Sequence, residues 1–400
     1  MRRRTFLTVS GCVVGAAGCL RLDASDSTTT ETETVTDTRT PGEPPTTTPT
    51  DQEPGSNVEA WNRTYSGTAV GWFGWATETA DEGYLAAGNI RSGDQSEPDG
   101  WVVKTDTEGA VRWQEQYGGA GPHSLLWGTS LDNGGYLLVG EADAAWAVEI
   151  DESGALQWQN TYQNYETIWD ITKRTGGGYI AVGQTANSET AYSMALDEEG
   201  SFLGESKPAL RDDGASEFLT VTDATDGGYL IGGRKESTET GGFEAWLVKT
   251  DASGSMQWEQ TYGDGPVWRV LSADGGYVLA SQSAYTDSSG GGQLLKTDRE
   301  GTVEWERTYG GQELDALYDI VDTGDGYLAA GQTGDSESME SWLVKTDADG
   351  RLEQERTFGD GALYSLSRTA SGAYLAAGGA AITDADTGDG RLLKQGAIEP

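Results

Sequence analysis

The chain has 400 residues, of which 65 are acidic and 26 basic, giving a formal net charge of −39. The acidic residues are spread along the whole sequence and no basic cluster interrupts them, which excludes the phosphate contacts that nucleic-acid binding requires. Such a charge is typical of a surface adapted to molar salt, where screening over about 3 Å makes dense like charge tolerable, or alternatively of a calcium-loaded surface.

Residues 1–18 have the features of a twin-arginine export signal. The stretch MRRRTFL places an arginine pair before a Phe-Leu pair, and the apolar run that follows is too short to span a bilayer. The tetrapeptide AAGC, which ends at Cys19, resembles a lipobox and predicts a lipid on Cys19; cleavage without a lipid is the alternative. Cys19 would then be the single cysteine of the mature chain, which excludes an internal disulfide.

Residues 19–57 predict a disordered tether. They are rich in threonine, proline and acidic residues and contain few large apolar side chains. Such a segment cannot bury enough surface to offset the entropy lost on ordering. We therefore expect a protein attached to the membrane by its lipid and exposed on the extracellular face of the cell membrane.

Residues 58–400 predict a seven-bladed β-propeller. A tyrosine followed by a small apolar run recurs seven times, every 43 to 52 residues, preceded by glycine in six copies and by alanine in the last. Each copy but the last contains four short runs typical of strands. The last copy stops without a fourth run, whereas a spare one, Val58 to Tyr65, precedes the first copy. We expect this N-terminal strand to complete the last blade and to close the ring.

The most regular part of each copy is the pattern KTDxxGxxxW, which predicts the hairpin between the third and fourth strands. Aspartate and glycine suit its turn, and the tryptophan should pack between blades. Gly204 and Gln354 replace the tryptophan in two copies, and Glu149 and Ala195 replace the lysine in two. Because lysine is otherwise scarce, its repetition predicts a fixed ion pair or a packed stem. The lysines concerned are Lys104, Lys249, Lys296, Lys345 and Lys394.

The combined pattern DGGYLxAG…WLVKTDxxGxxxW resembles the tandem propeller repeats of exported prokaryotic proteins of unassigned function. With the acidic composition and the lipobox, the chain resembles propeller lipoproteins of haloarchaeal type. It covers Val58 to Gln395. The segment TDASGSMQW is more distantly similar to quinoprotein dehydrogenase-like propellers and to the Asp-box hairpins of sialidase-type propellers. These likenesses imply a propeller and leave its activity open.

The candidate ligand face is the side of the ring that carries the connections between second and third strands, because their length and composition vary most. We expect aromatic side chains at matching places in the first strands to line the channel on this side, where they would stack on a ligand or, alternatively, pack between blades. They are Trp75, Trp127, Trp169, Phe218, Trp268, Tyr318 and Tyr364. Asn62 begins a glycosylation sequon.

The sequence favours a binding protein over an enzyme. His123 is the only histidine and no nucleophile motif flanks it, so we predict no catalytic residue, no metal site and no cofactor. The expected function is a monomeric scaffold that binds an extracellular or envelope partner, either protein or glycan, with no nucleic acid involved. A quinoprotein-like oxidoreductase, a glycan-active enzyme and a purely architectural protein are the alternatives.

Overall fold

The fold is an all-β propeller. A computed structural model of the chain describes residues 60–65, 70–91, 97–119, 121–186, 190–206, 214–237, 241–283, 290–312, 314–335, 338–380 and 388–396. In these ranges every regular element is a β-strand, and none of them contains a helix of the length and apolarity needed to cross a membrane. The predicted signal (1–18), Cys19 and the tether (19–57) lie outside the described residues.

The chain begins its regular structure with β1 (Trp61–Tyr65) and then forms five four-stranded antiparallel sheets. Sheet 1 contains β2 (Val70–Glu78), β3 (Tyr84–Arg91), β4 (Asp99–Thr105) and β5 (Val111–Tyr117). Sheet 2 contains β6 (Ser124–Ser130), β7 (Tyr136–Glu141), β8 (Ala145–Ile150) and β9 (Leu156–Tyr162). Sheet 3 contains β10 (Tyr165–Lys173), β11 (Tyr179–Thr185), β12 (Ala191–Leu196) and β13 (Phe202–Ser206). Sheet 4 contains β14 (Ser216–Asp223), β15 (Tyr229–Glu236), β16 (Phe243–Thr250) and β17 (Met256–Asp264). Sheet 5 contains β18 (Val267–Ala273), β19 (Gly276–Gln282), β20 (Gly292–Asp298) and β21 (Val303–Tyr309).

The remaining strands form one seven-stranded sheet in the order β1-β27-β26-β25-β24-β23-β22. Its members are β22 (Ala316–Asp322), β23 (Gly326–Gly334), β24 (Met339–Asp347), β25 (Leu352–Arg368), β26 (Tyr374–Ala380), β27 (Asp389–Gln395) and β1. The 17-residue β25 belongs to two parts, since residues 352–360 pair with β24 and residues 361–368 pair with β26. We call β22 to the first half of β25 part A, and the second half of β25 to β27, with β1, part B.

The N-terminal strand β1 lies beside the last strand of the chain. Its register with β27 runs from Trp61 opposite Lys394 to Tyr65 opposite Gly390. Part B also packs against sheet 1, where the Ala76 amide donates a hydrogen bond of 3.1 Å to Ser365 Oγ. The two ends of the described chain are thus in contact.

The core lies between neighbouring sheets. The second strands have a buried tyrosine as their first or second residue and continue with small apolar residues, as in YLAAG of β3 and β26, so that both faces of the sheet pack closely. The third strands carry large buried rings: Trp101 stacks on Phe73 at 4.6 Å between centroids, and Trp246 stacks on Phe218 at 4.6 Å. The fourth strands lie at the periphery and are largely exposed.

The KTDxxG segments form the predicted turns between third and fourth strands. In the first of them, Asp106 Oδ1 accepts hydrogen bonds from the amides of Glu108 (3.0 Å) and Ala110 (2.8 Å), and Gly109 has a φ of +77°. An aspartate oxygen thus replaces the missing ladder partners, and glycine supplies the left-handed conformation. Six aspartates in the described residues make this pair of bonds: Asp106, Asp151, Asp197, Asp251, Asp298 and Asp347.

The fourth-strand tryptophans pack between sheets, as predicted. Trp113 of β5 covers the turn glycine of sheet 2, where a Cβ on Gly154 would lie 2.9 Å from the indole. Four residues later, Tyr117 donates a hydrogen bond of 2.5 Å to the carbonyl of the same glycine. We call this Trp-Tyr-Gly arrangement the staple. It joins Trp61 and Tyr65 to Gly109, Trp113 and Tyr117 to Gly154, Trp158 and Tyr162 to Gly200, Trp258 and Tyr262 to Gly301, and Trp305 and Tyr309 to Gly350.

The repeated lysine forms the predicted ion pair at four of its five positions. Lys296 pairs with Glu304 of the fourth strand at 3.4 Å. In the other three, the lysine is almost fully buried and its ammonium group reaches an aspartate in the turn between the first and second strands. The pairs are Lys104–Asp81 at 2.7 Å, Lys249–Asp226 at 3.2 Å and Lys345–Asp325 at 3.1 Å. In part B, the Lys394 ammonium instead lies over the Tyr84 ring of sheet 1 at 5.5 Å. The repeated lysine therefore has a structural role, which in part B is a contact with sheet 1.

Candidate functional site

The first strand of each sheet or part lies at the central axis, and we call these the inner strands. Consecutive inner strands contact one another, and β2 also contacts β25. β2 begins at Val70, which pairs with Arg91, and ends at Glu78, which pairs with Tyr84. Each inner strand therefore starts on the side of the connections between second and third strands, the loop side. It ends on the side of the tight turns, the turn side.

Every inner strand is bulged at one corresponding residue, which has no partner in the ladder. A bulge places two residues opposite one, locally bends the strand and redirects its side chains. The bulge residues are Gly74, Leu126, Trp169, Leu219, Trp268, Tyr318 and Tyr364. The residues that follow them are Trp75, Trp127, Asp170, Thr220, Arg269, Asp319 and Ser365.

The seven predicted aromatics occupy three positions relative to the bulge instead of one. Four are the bulge residues Trp169, Trp268, Tyr318 and Tyr364. Trp75 and Trp127 follow the bulge, whereas Phe218 precedes it, is 2 % exposed and stacks in the core on Trp246. The extra residue of each bulge does not show in the alternation of apolar and polar residues. Equivalent positions of the seven copies therefore cannot be identified by counting residues along the strands.

An arc of aromatic rings crosses four inner strands near the loop side. Trp268 meets Tyr318 at 5.4 Å between centroids, Tyr318 meets Tyr364 at 5.5 Å, and Tyr364 meets Trp72 at 5.6 Å. Tyr318 is buried and the other three are partly exposed. The structure thus brings three of the predicted residues together and adds Trp72. We call these four rings the aromatic arc.

Arg269 follows the bulge residue of β18 and so lies one residue closer to the turn side. Its side chain extends across the central axis. Its guanidinium Nη1 lies 2.7 Å from Asp170 Oδ2 of sheet 3, and its Nε lies 3.1 Å from Asp319 Oδ1 of part A. Nη1 also donates to Thr220 Oγ1 of sheet 4 at 3.1 Å, and the guanidinium lies 3.6 Å from the centroid of the Trp127 ring of sheet 2. We call this group the ion knot, since one side chain of sheet 5 contacts four other sheets or parts.

The carboxylates of the ion knot are buried and receive backbone hydrogen bonds. Asp170 accepts from the amides of Ile171 (2.7 Å) and Val221 (2.9 Å). Burial raises the pKa of the Asp170 carboxyl, while Arg269 opposes this change.

Asp319 has the same environment in part A. It accepts from the amides of Ile320 (2.8 Å) and Leu366 (2.6 Å). Burial raises the pKa of its carboxyl to about 6 against the opposing effect of Arg269. Each oxygen of both carboxylates accepts a hydrogen bond, whereas Arg269 Nε lies 3.1 Å from Asp319 Oδ1 without making a hydrogen bond to any described residue. The ion knot therefore ties sheets together and does not contain a pair of free acid and base groups.

The sequence did not indicate the ion knot. Its partners are 50 and 99 residues from Arg269, and the chain contains 65 acidic residues, so no pairing stood out. A signal was nevertheless present. The inner strands IWDI, LYDI and VWRV each place a charged residue directly after an aromatic one inside an apolar run, where an unpaired charge would cost several kcal/mol.

The other residues considered in the sequence lie away from this site. His123 Nδ1 is 2.9 Å from the Gly121 carbonyl oxygen and its ring packs edge-on against Trp146 at 4.9 Å. Asn62 lies in β1 opposite Leu393, and its glycosylation stays a prediction. Within the described ranges, no cluster of three or more histidine, cysteine or acidic side chains has a geometry that would hold a metal ion.

Comparison with known proteins supports the fold. No protein-family model and no curated protein matches the chain. Among solved structures, it is similar to the WD40 domain of Neurospora crassa Pan2 (7 % identity, TM-score 0.53), covering 82 % of this chain and 90 % of that one. It is also similar to Sqt1 from Chaetomium thermophilum (10 %, TM-score 0.51; 84 % and 100 % covered) and to the Dos1 propeller (11 %, TM-score 0.50; 84 % and 95 % covered). At these identities the likeness concerns architecture alone: the chain is a β-propeller.

Proposed function

We propose that the chain is a lipid-anchored propeller of seven blades, closed by its N-terminal strand, that binds an extracellular or envelope partner on its loop side. Parts A and B would be blades six and seven, and β1 the outermost strand of the seventh. The observation that carries the binding function is the aromatic arc, in which partly exposed rings from four inner strands converge on one side of the axis.

Seven blades are supported by the division of β25. Residues 352–360 and 361–368 pair with different strands, so each half takes the place that a separate strand has in sheets 1 to 5. Closure is supported by the staple between β1 and sheet 1. Tyr65 donates to the Gly109 carbonyl at 2.8 Å, just as Tyr262 does to Gly301 at 2.8 Å inside the array.

Ligand binding on the loop side is supported by two unpaired donors, one on Trp268 of the arc and one on Trp169, a bulge residue outside the arc. The indole nitrogens of Trp169 and Trp268 are buried and have no hydrogen-bond acceptor among the described residues. A buried donor without an acceptor costs free energy, and such groups are rare outside functional sites. A ligand that offers a flat or aliphatic face to the rings and an acceptor to the indoles would satisfy both needs.

The membrane anchor rests on the sequence. The arginine pair of residues 1–18, the lipobox at Cys19 and the tether to residue 57 form a consistent series, and they match the resemblance to haloarchaeal lipoproteins. In this proposal the lipid holds the tether, and the tether gives the propeller access to partners on the extracellular face. Cys19→Ser should release the full chain from the membrane fraction into the medium, whereas retention in the membrane would refute the anchor.

The binding function is tested by cross-linking on intact cells in high salt. The full chain carries a C-terminal tag, and captured proteins and glycans are compared with those of a Trp268→Leu/Tyr364→Leu variant. The control is Phe202→Ala, which removes an outer-strand ring that is 48 % exposed. We expect a partner that the wild type and the control capture and the arc variant loses. Equal capture by an arc variant of unchanged melting temperature would refute the site, and capture of nothing by the wild type would refute the function.

A further inference from the structure

Three of the aromatic bulge residues are followed in the chain by a charged member of the ion knot. The pairs are Trp169–Asp170, Trp268–Arg269 and Tyr318–Asp319. In each pair the aromatic residue is the bulge residue and the charged residue is the next one. The loop-side rings and the charges below them are therefore consecutive side chains of the same three bulges.

A bulge residue lacks the ladder hydrogen bonds that fix the orientation of the other residues in its strand. Residues within a ladder are fixed by hydrogen bonds to the adjacent strand, whereas the extra residue of a bulge has no partner there. Its side-chain direction then depends on how the following residue is held. In these three inner strands the following residue is held by the ion knot, through contacts of 2.7 Å and 3.1 Å to Arg269.

Arginine suits this task better than other side chains. Its planar guanidinium addresses two carboxylates from different directions while its face lies on the Trp127 ring at 3.6 Å, which a lysine ammonium cannot do. The Arg269 side chain is 13 % exposed, so little solvent competes for these bonds. Arg269 thereby connects sheet 5 directly to sheet 3 and to part A. The strand pairing within sheet 3 and within part A does not involve Arg269.

We propose that Arg269 is a positioning residue for the ligand site: through the ion knot it fixes the bulges of β10, β18 and β22 and so holds Trp169, Trp268 and Tyr318 in their binding orientation. This inference rests on the proposed binding function. It predicts that loss of the guanidinium disturbs the rings of the loop side while the staples at the periphery of the propeller stay as they are.

The test uses the full chain labelled with 5-fluorotryptophan, with each ¹⁹F signal assigned by a Trp→Phe substitution. In Arg269→Met we expect the signals of Trp127, Trp169 and Trp268 to move or broaden. The signals of Trp113 and Trp305, which belong to staples, should not change. Arg269→Lys keeps the charge without the planar fork, and we expect the Trp127, Trp169 and Trp268 signals to return only part of the way.

Arg269→Met leaves two carboxylates buried without their cation, which destabilises the fold. A second variant therefore separates the loss of positioning from misfolding. The triple variant Asp170→Asn/Arg269→Met/Asp319→Asn removes all three charges together. We expect it to fold and to show the same displaced signals of Trp169 and Trp268. Unchanged signals in this folded variant would overturn the inference.

The binding assay separates this inference from the proposed function. With the partner captured by the wild type, the triple variant should capture it about tenfold less, equivalent to about 1.4 kcal/mol. Wild-type capture with equal capture by the triple variant refutes the positioning role alone. Where the wild type captures nothing, the proposed function fails, and the ¹⁹F signals still decide whether the ion knot orients the rings.

Discussion

At the scale of single residues, the axis is where the copies differ most in chemistry. The residue after the bulge is aromatic in sheets 1 and 2, hydroxyl-bearing in sheet 4 and part B, and charged in sheets 3 and 5 and part A. The hydroxyl and carboxylate members bridge neighbouring inner strands: Asp170 accepts from Val221, Asp319 from Leu366 and Ser365 from Ala76. These neighbouring inner strands are thus joined by hydrogen bonds to side chains that differ from one pair of strands to the next.

The raised pKa of Asp319 makes stability depend on pH in a definite direction. Because the folded-state pKa of about 6 exceeds the ordinary aspartate pKa of 3.8, the folded protein binds the proton more tightly than the unfolded chain does. This contribution to stability is fully present below the unfolded-state pKa and is lost as the pH rises through about 6. Relative to Asp319→Asn, the wild type should lose about 2 kcal/mol of unfolding free energy between about pH 4.5 and about pH 8. Denaturant unfolding at constant KCl measures the difference.

A matched control is Asp325→Asn on the turn side. Hydrogen bonds from Thr323 and Lys345 lower the pKa of the Asp325 carboxyl, so it titrates below the same pH window. Its contribution is present above the unfolded-state pKa and is lost only on further acidification. The difference between wild type and Asp325→Asn should therefore stay constant over the two pH values. A parallel change in both variants would show that Asp319 is not the group responsible.

Local chemistry explains which residues could be predicted from the sequence. The aspartate and glycine of the KTDxxG turns act within five residues, and both roles were readable from the pattern. The partner of Lys104 was not, because Asp81 lies 23 residues away in another turn. The prediction that the inner-strand aromatics occupy equivalent positions was wrong at the bulges, because the alternation of side chains along a strand does not reveal an inserted residue.

At the scale of elements, the staple explains why the fourth strand varies where it does. In part A, Gln354 and Phe358 replace the tryptophan and tyrosine. The neighbouring part B has no KTDxxG turn, since its fourth strand β1 comes from the other end of the described chain. Where the turn glycine is missing, the indole and the phenolic hydroxyl that would contact it are missing too. The two absences have one physical cause: without a turn glycine to cover, an indole at this position would stay exposed and would bury no apolar surface.

Sheet 3 is the exception that offers a test. Its fourth strand has Gly204 at the tryptophan position, and no described residue lies within 4 Å of a Cβ placed on the turn glycine of sheet 4, Gly254. We expect Gly204→Trp to fill this space and to raise the unfolding free energy by about 1–2 kcal/mol, since it removes a strand glycine and buries an indole. Thermal and denaturant unfolding measure the change.

Two alanine substitutions complete the test. Gly154 and Gly254 have nearly the same φ, +85° and +86°, but only Gly154 lies under an indole. Gly254→Ala should cost about 1 kcal/mol for the left-handed backbone, and Gly154→Ala about 1–3 kcal/mol more for the clash with Trp113. In the Gly204→Trp background, Gly254→Ala should become as costly as Gly154→Ala. An additive double mutant would mean that the introduced indole does not reach the glycine.

At the scale of the whole molecule, a net charge of −39 on a 400-residue chain repels itself. If the surface is adapted to salt, the melting temperature should rise steadily as KCl increases from about 0.1 M to about 2 M, where the screening length approaches 3 Å. A calcium chelator should not change the curve. A loss of stability on chelation at high KCl would instead identify the acidic surface as calcium-loaded.

The proposed closure of the propeller predicts that its first and last strands are held as firmly as any interior pair. The staple of β1 on sheet 1 has the same two contacts as the staple of sheet 4 on sheet 5, with tyrosine-to-carbonyl distances of 2.8 Å in both. Trp61→Ala/Tyr65→Phe and Trp258→Ala/Tyr262→Phe should therefore cost the same, about 4 kcal/mol each, from lost indole packing and one hydrogen bond. Denaturant unfolding of the full chain compares them. In an open array the terminal strand would fray without unfolding the rest, so the N-terminal pair would cost far less than the interior pair.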